Sequence, residues 1–549
     1  MTDLTRRKAL VTGAVSGTIA ALRLTTARAA NTPQPALPIP SEVRTNAQRE
    51  ISFSARVGTA NFLPGRNTRT YGYDAPFLGP ALRLRRGEKV TIDFTNHLSE
   101  PTTVHWHGLI IPGYLDGGPH QAVAPGAQWR PTLPIDQPAA TLWFHPHFYP
   151  TTTSQVIKGL AGLIIIDDEE TDRLGLPSRW GINDIPLIIQ DRRFQRDGQF
   201  FDRMNLTTIT NGYVGDVALV NGARHPVART ARGWLRLRLL DGSNARSYLL
   251  KASDDRSLFV IGSDGGLLES PVEMKQITMH AGERFEIMVD CRTGAPFDLV
   301  AMPTGEPIMR LPPFDAPLPL VTIHPDGAET SGTLPAALAK LPPLPATLPP
   351  ISQELVMNMF RDKEGMAPLM QAGLGMGTAS GMAMGNASPM PASHAGGMSM
   401  TAGAGMSMGG KISPAVVARV VKLIEDQPAL PMAQQLSAMG INGKSFSETA
   451  AGFTAQRGQD LRWRISEGDD AMPHPVHVHG CQFRIVSESG QKPEAYRAGW
   501  KDITPISNGG YSEILLNFPH SADVKAPYMA HCHILEHEDS GMMTGFTVG

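Results

Sequence analysis

Apolar and polar residues alternate with a period of two in three well-separated stretches: "LRLRRGEKVTIDFTNHL" (82–98), "WLRLRLLDGSNARSYLL" (234–250) and "DLRWRISEGDDAMPHPVHVHG" (460–480). Each pairs an alternating strand with a polar turn and a second strand. Each is followed by a further alternating strand, "QWRPTLPI" (128–135), "ERFEIMVD" (283–290) and "SEILLNF" (512–518). A period of two sends successive side chains to opposite faces, which predicts half-buried antiparallel strands. Recurrence at domain spacing predicts an all-β fold of three related Greek-key sandwiches, over 31–170, 180–325 and 351–549.

Composition agrees. The 549 residues exceed what one core covers. The 55 Gly and 46 Pro favour many turns and short strands. A Pro-rich connector at 326–350, containing "LPAALAKLPPLPATLPP" (334–350), is expected to be extended and semi-rigid. The next tract, 356–410, carries 12 of the chain's 25 Met in a Gly/Ala/Ser background. It lacks the aromatic and β-branched residues needed to bury itself, so it is expected to be largely mobile. A net charge of −2 argues against nucleic-acid binding through a basic face. At the N-terminus, Arg6-Arg7, a short apolar run from Ala9 to Leu22 and Ala27-Arg28-Ala29 form the pattern of a twin-arginine signal peptide over 1–29. This predicts export of the folded chain to the periplasm by the twin-arginine machinery. No other segment is apolar and long enough to span a membrane.

Histidine placement carries the chemistry. His-x-His pairs occur at His105/His107, His145/His147, His477/His479 and His531/His533. Random scattering of 17 His would give roughly half of one such pair. On a strand, residues i and i+2 face the same side about 6–7 Å apart, which suits two imidazoles entering one polynuclear metal site. A single pair would read as surface or core histidines. Four pairs, two near each end of the mature chain, require the first and last sandwiches to meet. The middle sandwich has no pair and reads as a spacer.

Three Cys allow at most one disulfide. Cys291 and Cys481 read as buried thiols. Cys532 is different: it sits between His531 and His533, and Cys532, His537 and Met542 are spaced Cys-x4-His-x4-Met. With His474 as a second imidazole, this is a His2Cys set with a weak axial thioether, the donor set of blue copper. The flanking histidines could then serve the polynuclear site, so that an electron crosses one residue of backbone.

The segments "HWHG" (105–108), "HPH" (145–147), "HPVHVHG" (474–480) and "HCHILEHEDSGMM" (531–543) resemble the four copper motifs of the multicopper oxidases. The twin-Arg leader and Met-rich tract resemble the bacterial copper efflux (cuprous) oxidase branch. The resemblance implies three cupredoxin-like domains, four coppers, and reduction of O2 to water coupled to one-electron oxidation of Cu(I) or small phenols. By position, it implies type 1 copper on His474, Cys532, His537 and Met542, and type 2 copper on His105 and His477. The type 3 pair would use His107, His145 and His533 on one ion, and His147, His479 and His531 on the other. It implies Asp116 and Glu538 as proton-relaying carboxylates, and a substrate Cu(I) site on Met357, Asp362, Asp470 and Met472. A general laccase and a copper-sequestering protein are the alternatives, and a monomer is expected.

Overall fold

The computed structural model describes residues 34–374, 412–468, 472–507 and 509–549. Its strands form six sheets that fall into three pairs along the chain, and the fold is all-β and cupredoxin-like. The first pair spans strands from Glu42–Arg44 to Gly162–Asp167, the second from Asp184–Arg192 to Leu318–His324, and the third from Ile351–Met359 to Met543–Val548.

The expected strand repeat is present, with two corrections. The sheets are mixed rather than purely antiparallel: Lys89–Asn96, Trp234–Asp241 and Leu461–Glu467 each run parallel to an earlier strand, Glu50–Ala60, Asp184–Arg192 and Ile351–Met359 respectively. The cause is an excursion between the paired strands: the chain enters the opposite sheet, as Ala81–Arg85, Val227–Arg229 and Ala451–Ala455 respectively, and returns beside the earlier strand in the same direction. The same pairing shows that the first sandwich's equivalent strand is Lys89–Asn96, one strand later than the 82–98 pattern placed it. It pairs antiparallel with Thr132–Pro134, as Trp234–Asp241 does with Arg284–Asp290 and Leu461–Glu467 with Tyr511–Leu516.

A further correction concerns the Met-rich tract. Its first residues are ordered: 356–359 close the strand Ile351–Met359, and Asp362–Gln371 is a helix. Alternation buries Leu355 and Met357 in the core, and Leu369 and Leu374 anchor the helical part, an apolar signal that the surrounding Gly and Ala obscured. Residues 375–411 lie outside the described residues, as does the segment 1–29, where the sequence pattern predicts a signal peptide. No described helix is long and apolar enough to cross a membrane.

The helix at Asp362–Gln371 rests on Leu206–Asn211, which in turn rests on Leu535–Glu538, the short helix carrying His537. The first contact is close: a Cβ on Gly365 would overlap Thr210 Oγ1 and approach Thr210 Cβ to 2.6 Å.

Candidate metal centre

Strand parity sorts the donors. His474–Val478 pairs antiparallel with Tyr528–Cys532 in the register Val476↔Cys532 and His477↔His531. Alternation therefore places His474 on the face of Cys532, and His477 and His479 on the face of His531 and His533. On the first face, Cys532 Sγ lies 3.4 Å from His474 Nδ1 and 3.6 Å from His537 Nδ1, and the two nitrogens are 3.3 Å apart. Donors about 2.0–2.3 Å from one ion stand at roughly such separations. Met542 is fully buried beside them, and its carbonyl accepts the Cys532 N–H at 3.1 Å.

On the other face the eight paired imidazoles converge, all buried. His147, His479 and His531 form one triad, with His531 Nε2 3.2 Å from both His147 Nε2 and His479 Nε2. His107 Nδ1 lies 3.4 Å from His145 Nε2, and the His533 ring centre is 5.0 Å from that of His107 and 5.4 Å from that of His145. His105 and His477 face one another at 5.7 Å, each with an unpartnered Nε2.

Hydrogen bonds fix several tautomers. His105, His145, His477 and His531 donate Nδ1–H to the carbonyls of Asp116, Pro146, Asp502 and Cys532, and His479 donates to Asp116 Oδ2 at 2.7 Å. Their Nε2 lone pairs are thereby bare. Two bare lone pairs 3.2 Å apart, as on His479 and His531, repel unless a cation lies between them. Burial, reinforced by neighbouring imidazoles, drives His107, His145, His147, His477, His479 and His533 far below the ordinary histidine range. Burial also takes His531 down to about 3. These seven rings are neutral at physiological pH, as metal binding requires. The donor set therefore fits copper at both faces.

Two carboxylates flank the cluster. Asp116 is 1% exposed and grips His479, while Glu538 lies 3.3 Å from both His147 Nδ1 and His531 Nδ1. Burial, with Asp539 adjacent, raises the Glu538 carboxyl well above its usual range.

The middle sandwich is more than a spacer. Its Glu283 and Arg284 meet Lys501 and Asp502 of the last sandwich in two adjacent buried ion pairs, Glu283–Lys501 at 2.7 Å and Arg284–Asp502 at 2.5 Å. Asp502 also accepts His107 Nε2–H at 3.0 Å. Sequence reasoning missed these four. Their only signal was paired opposite charges opening apolar runs, in "GERFEIMVD" and "WKDITPI".

Met357 is fully buried in the core, Asp362 opens the helix Asp362–Gln371, and Met472 is half-buried two residues before His474. Asp470 lies outside the described residues. Cys291 and Cys481 are free buried thiols.

Multicopper oxidase sequence profiles match residues 54–171 and 423–549. The multicopper oxidase mco of Staphylococcus aureus is 32% identical over 91% of this chain and 88% of its own length. The cell division protein FtsP of Xenorhabdus nematophila is 30% identical over 93% and 92%. Among solved structures, the laccase-like multi-copper oxidase CueO of Ochrobactrum sp. superposes with a TM-score of 0.75 at 31% identity, covering 93% of this chain and all of that one. McoA of Aquifex aeolicus gives 0.73 at 26%, covering 94% of this chain and all of its own. Likeness of this extent leaves no sandwich unaccounted for, and the chain belongs to the multicopper oxidases, oxygen-using copper enzymes.

Proposed function

We propose that this oxidase takes electrons singly from Cu(I), and from small phenols, at the His474–Cys532–His537–Met542 site. They pass to the eight-histidine cluster, where O2 is reduced to water, and the enzyme serves copper tolerance in the periplasm. Four coppers in the arrangement implied by the motifs would supply the one-electron exchange and the oxygen chemistry. The observation that carries the reading is the shared strand: Cys532 faces one site while His531 and His533 face the other. The thiolate and two imidazoles then form a covalent path one residue long. Glu538 stands between His147 and His531, and Asp116 anchors His479; both carboxylates would relay the protons that oxygen reduction consumes.

Cu(I) as substrate is supported by thioether chemistry. Soft sulfur suits Cu(I), carboxylate favours the Cu(II) product, and the Met-rich tract is entered from helices packed within one layer of His537. A general laccase is the second reading, favoured by the stated activity of the Ochrobactrum enzyme towards lignin model compounds. Deleting 375–411, which spares the described strand and helices, separates the two. Loss of Cu(I)-driven oxygen uptake with phenol turnover kept or raised supports cuprous oxidation, whereas loss of neither supports the laccase. A sequestering protein, or one acting only in cell division, would consume no oxygen with either substrate.

A further inference from the structure

His107 is held the opposite way round from its neighbours. His105, His145, His477 and His531 donate Nδ1–H to main-chain carbonyls and His479 to the Asp116 carboxylate, and all five present Nε2. A carboxylate can only accept, so the 3.0 Å contact from His107 Nε2 to Asp502 Oδ1 puts the proton on Nε2. His107 Nδ1 is then the bare atom, facing His145 Nε2 at 3.4 Å.

Asp502 is itself held from two other directions. Arg284 of the middle sandwich reaches it with Nη1 at 2.7 Å and Nη2 at 2.5 Å, and Gln482 Nε2 donates to it at 2.8 Å. Gln482 also donates to the carbonyl of Gly108, the residue after His107. Gly108 has φ +91°, and a Cβ there would come within 2.6 Å of Asp502 Oδ2 and 2.9 Å of Arg284 Nη2. The glycine of "HWHG" thus leaves room for this approach. Arg284 and Asp502 are both fully buried, and Glu283–Lys501 lies alongside. A buried pair of this kind is weak evidence for net stability, because desolvation offsets much of its attraction. Its geometry is better explained by orientation.

We propose that Arg284, Asp502 and His107 form a clasp across all three sandwiches that sets the tautomer of His107, so that Nδ1 is its metal-facing atom and cluster assembly depends on docking of the middle sandwich. Asp502 and Arg284 are positioning residues: they act through His107. The inference rests on the copper reading above for what the cluster holds, but not for the tautomer.

The test uses the full-length copper-free protein labelled with 15N-histidine. Long-range 1H–15N correlation spectra report each ring's tautomer, and His107 is assigned by the signal lost in His107→Asn. The expected result is Nε2–H on His107 against Nδ1–H on His105, His145, His477 and His531, with the His107 preference lost in Asp502→Ala. In Arg284→Gln, copper-loaded protein should surrender cluster copper to a chelator at about 10- to 100-fold lower concentration, the usual effect of removing an outer partner of a metal ligand, while the blue absorption of the Cys532 site persists. An Nδ1–H tautomer on His107 in the unsubstituted chain overturns the clasp, and so does an unchanged tautomer in Asp502→Ala. Unaltered copper retention in Arg284→Gln overturns it as well. If a variant does not fold, the unsubstituted protein's tautomer still decides. A chain that takes up no copper would sink the functional reading and leave the tautomer result standing.

Discussion

Substituting Gly365 with alanine tests whether the ordered part of the Met-rich tract guards the Cys532 site. The added methyl would overlap Thr210 Oγ1, and Thr210 is 1% exposed with a branched, tightly packed side chain. Thr210 has little room to turn away, so the helix Asp362–Gln371 must lift from Leu206–Asn211. Overpacking of this kind costs about 1–3 kcal/mol. The burial of Leu369, fully enclosed, holds the helix down by about 1.5–3 kcal/mol. The two quantities are comparable, so the substitution shifts the helix towards release without unfolding the sandwiches. Hydrogen exchange is the direct assay. Amides of 362–371 should lose roughly 5- to 150-fold in protection, the equivalent of 1–3 kcal/mol, while the strand Tyr528–Cys532 keeps its own. Turnover of a bulky phenol should rise alongside. Protection unchanged within about twofold, from the same conversion, would refute the packing argument, and unchanged phenol turnover despite lost protection would refute the guarding role.

Cys532→Ser should abolish the intense blue absorption and all turnover while leaving the far-ultraviolet circular dichroism intact, since the site is fully buried and the oxygen is smaller than sulfur; a blue variant would disprove the thiolate assignment. Met542→Leu should raise the potential of the Cys532 site in a redox titration, because a donor to the oxidised ion is withdrawn. For Glu536, fully buried and accepting from Tyr213 N and Asn244 Nδ2, burial raises the carboxyl to about 7. The folded state thus favours the protonated form, and this group's stabilisation is full below about 4.5 and lost as pH rises to about 7. Glu536→Gln, which mimics the neutral form, should gain thermal stability relative to the parent as pH climbs through that window, and melting curves with a constant difference would refute this.

The sequence displayed the metal-binding chemistry more openly than the structure that supports it. His474, Cys532 and His537 were legible because thiolate and imidazole at those spacings have few other uses, and strand parity alone sends His474 one way and His477 the other. The carboxylate and guanidinium of Asp502 and Arg284 were not legible. A charged residue at the start of an alternating strand ordinarily marks a solvated face, and only tertiary contact between distant segments shows that these two neutralise each other in the interior. The parallel strand pairs were hidden for a similar reason: periodicity reports which face a residue takes, not which strand lies beside it. In the Met-rich tract, a few apolar anchors such as Leu355 and Leu369 sufficed to order the start of a segment whose average composition pointed the other way.

The alternation along 528–533 also constrains how this enzyme can vary by descent. Inserting or deleting one residue there would exchange the partners of sulfur and imidazole, destroying both centres in a single event. Length changes must therefore be confined to segments such as the tract after Leu374, and the two centres are inherited or lost together.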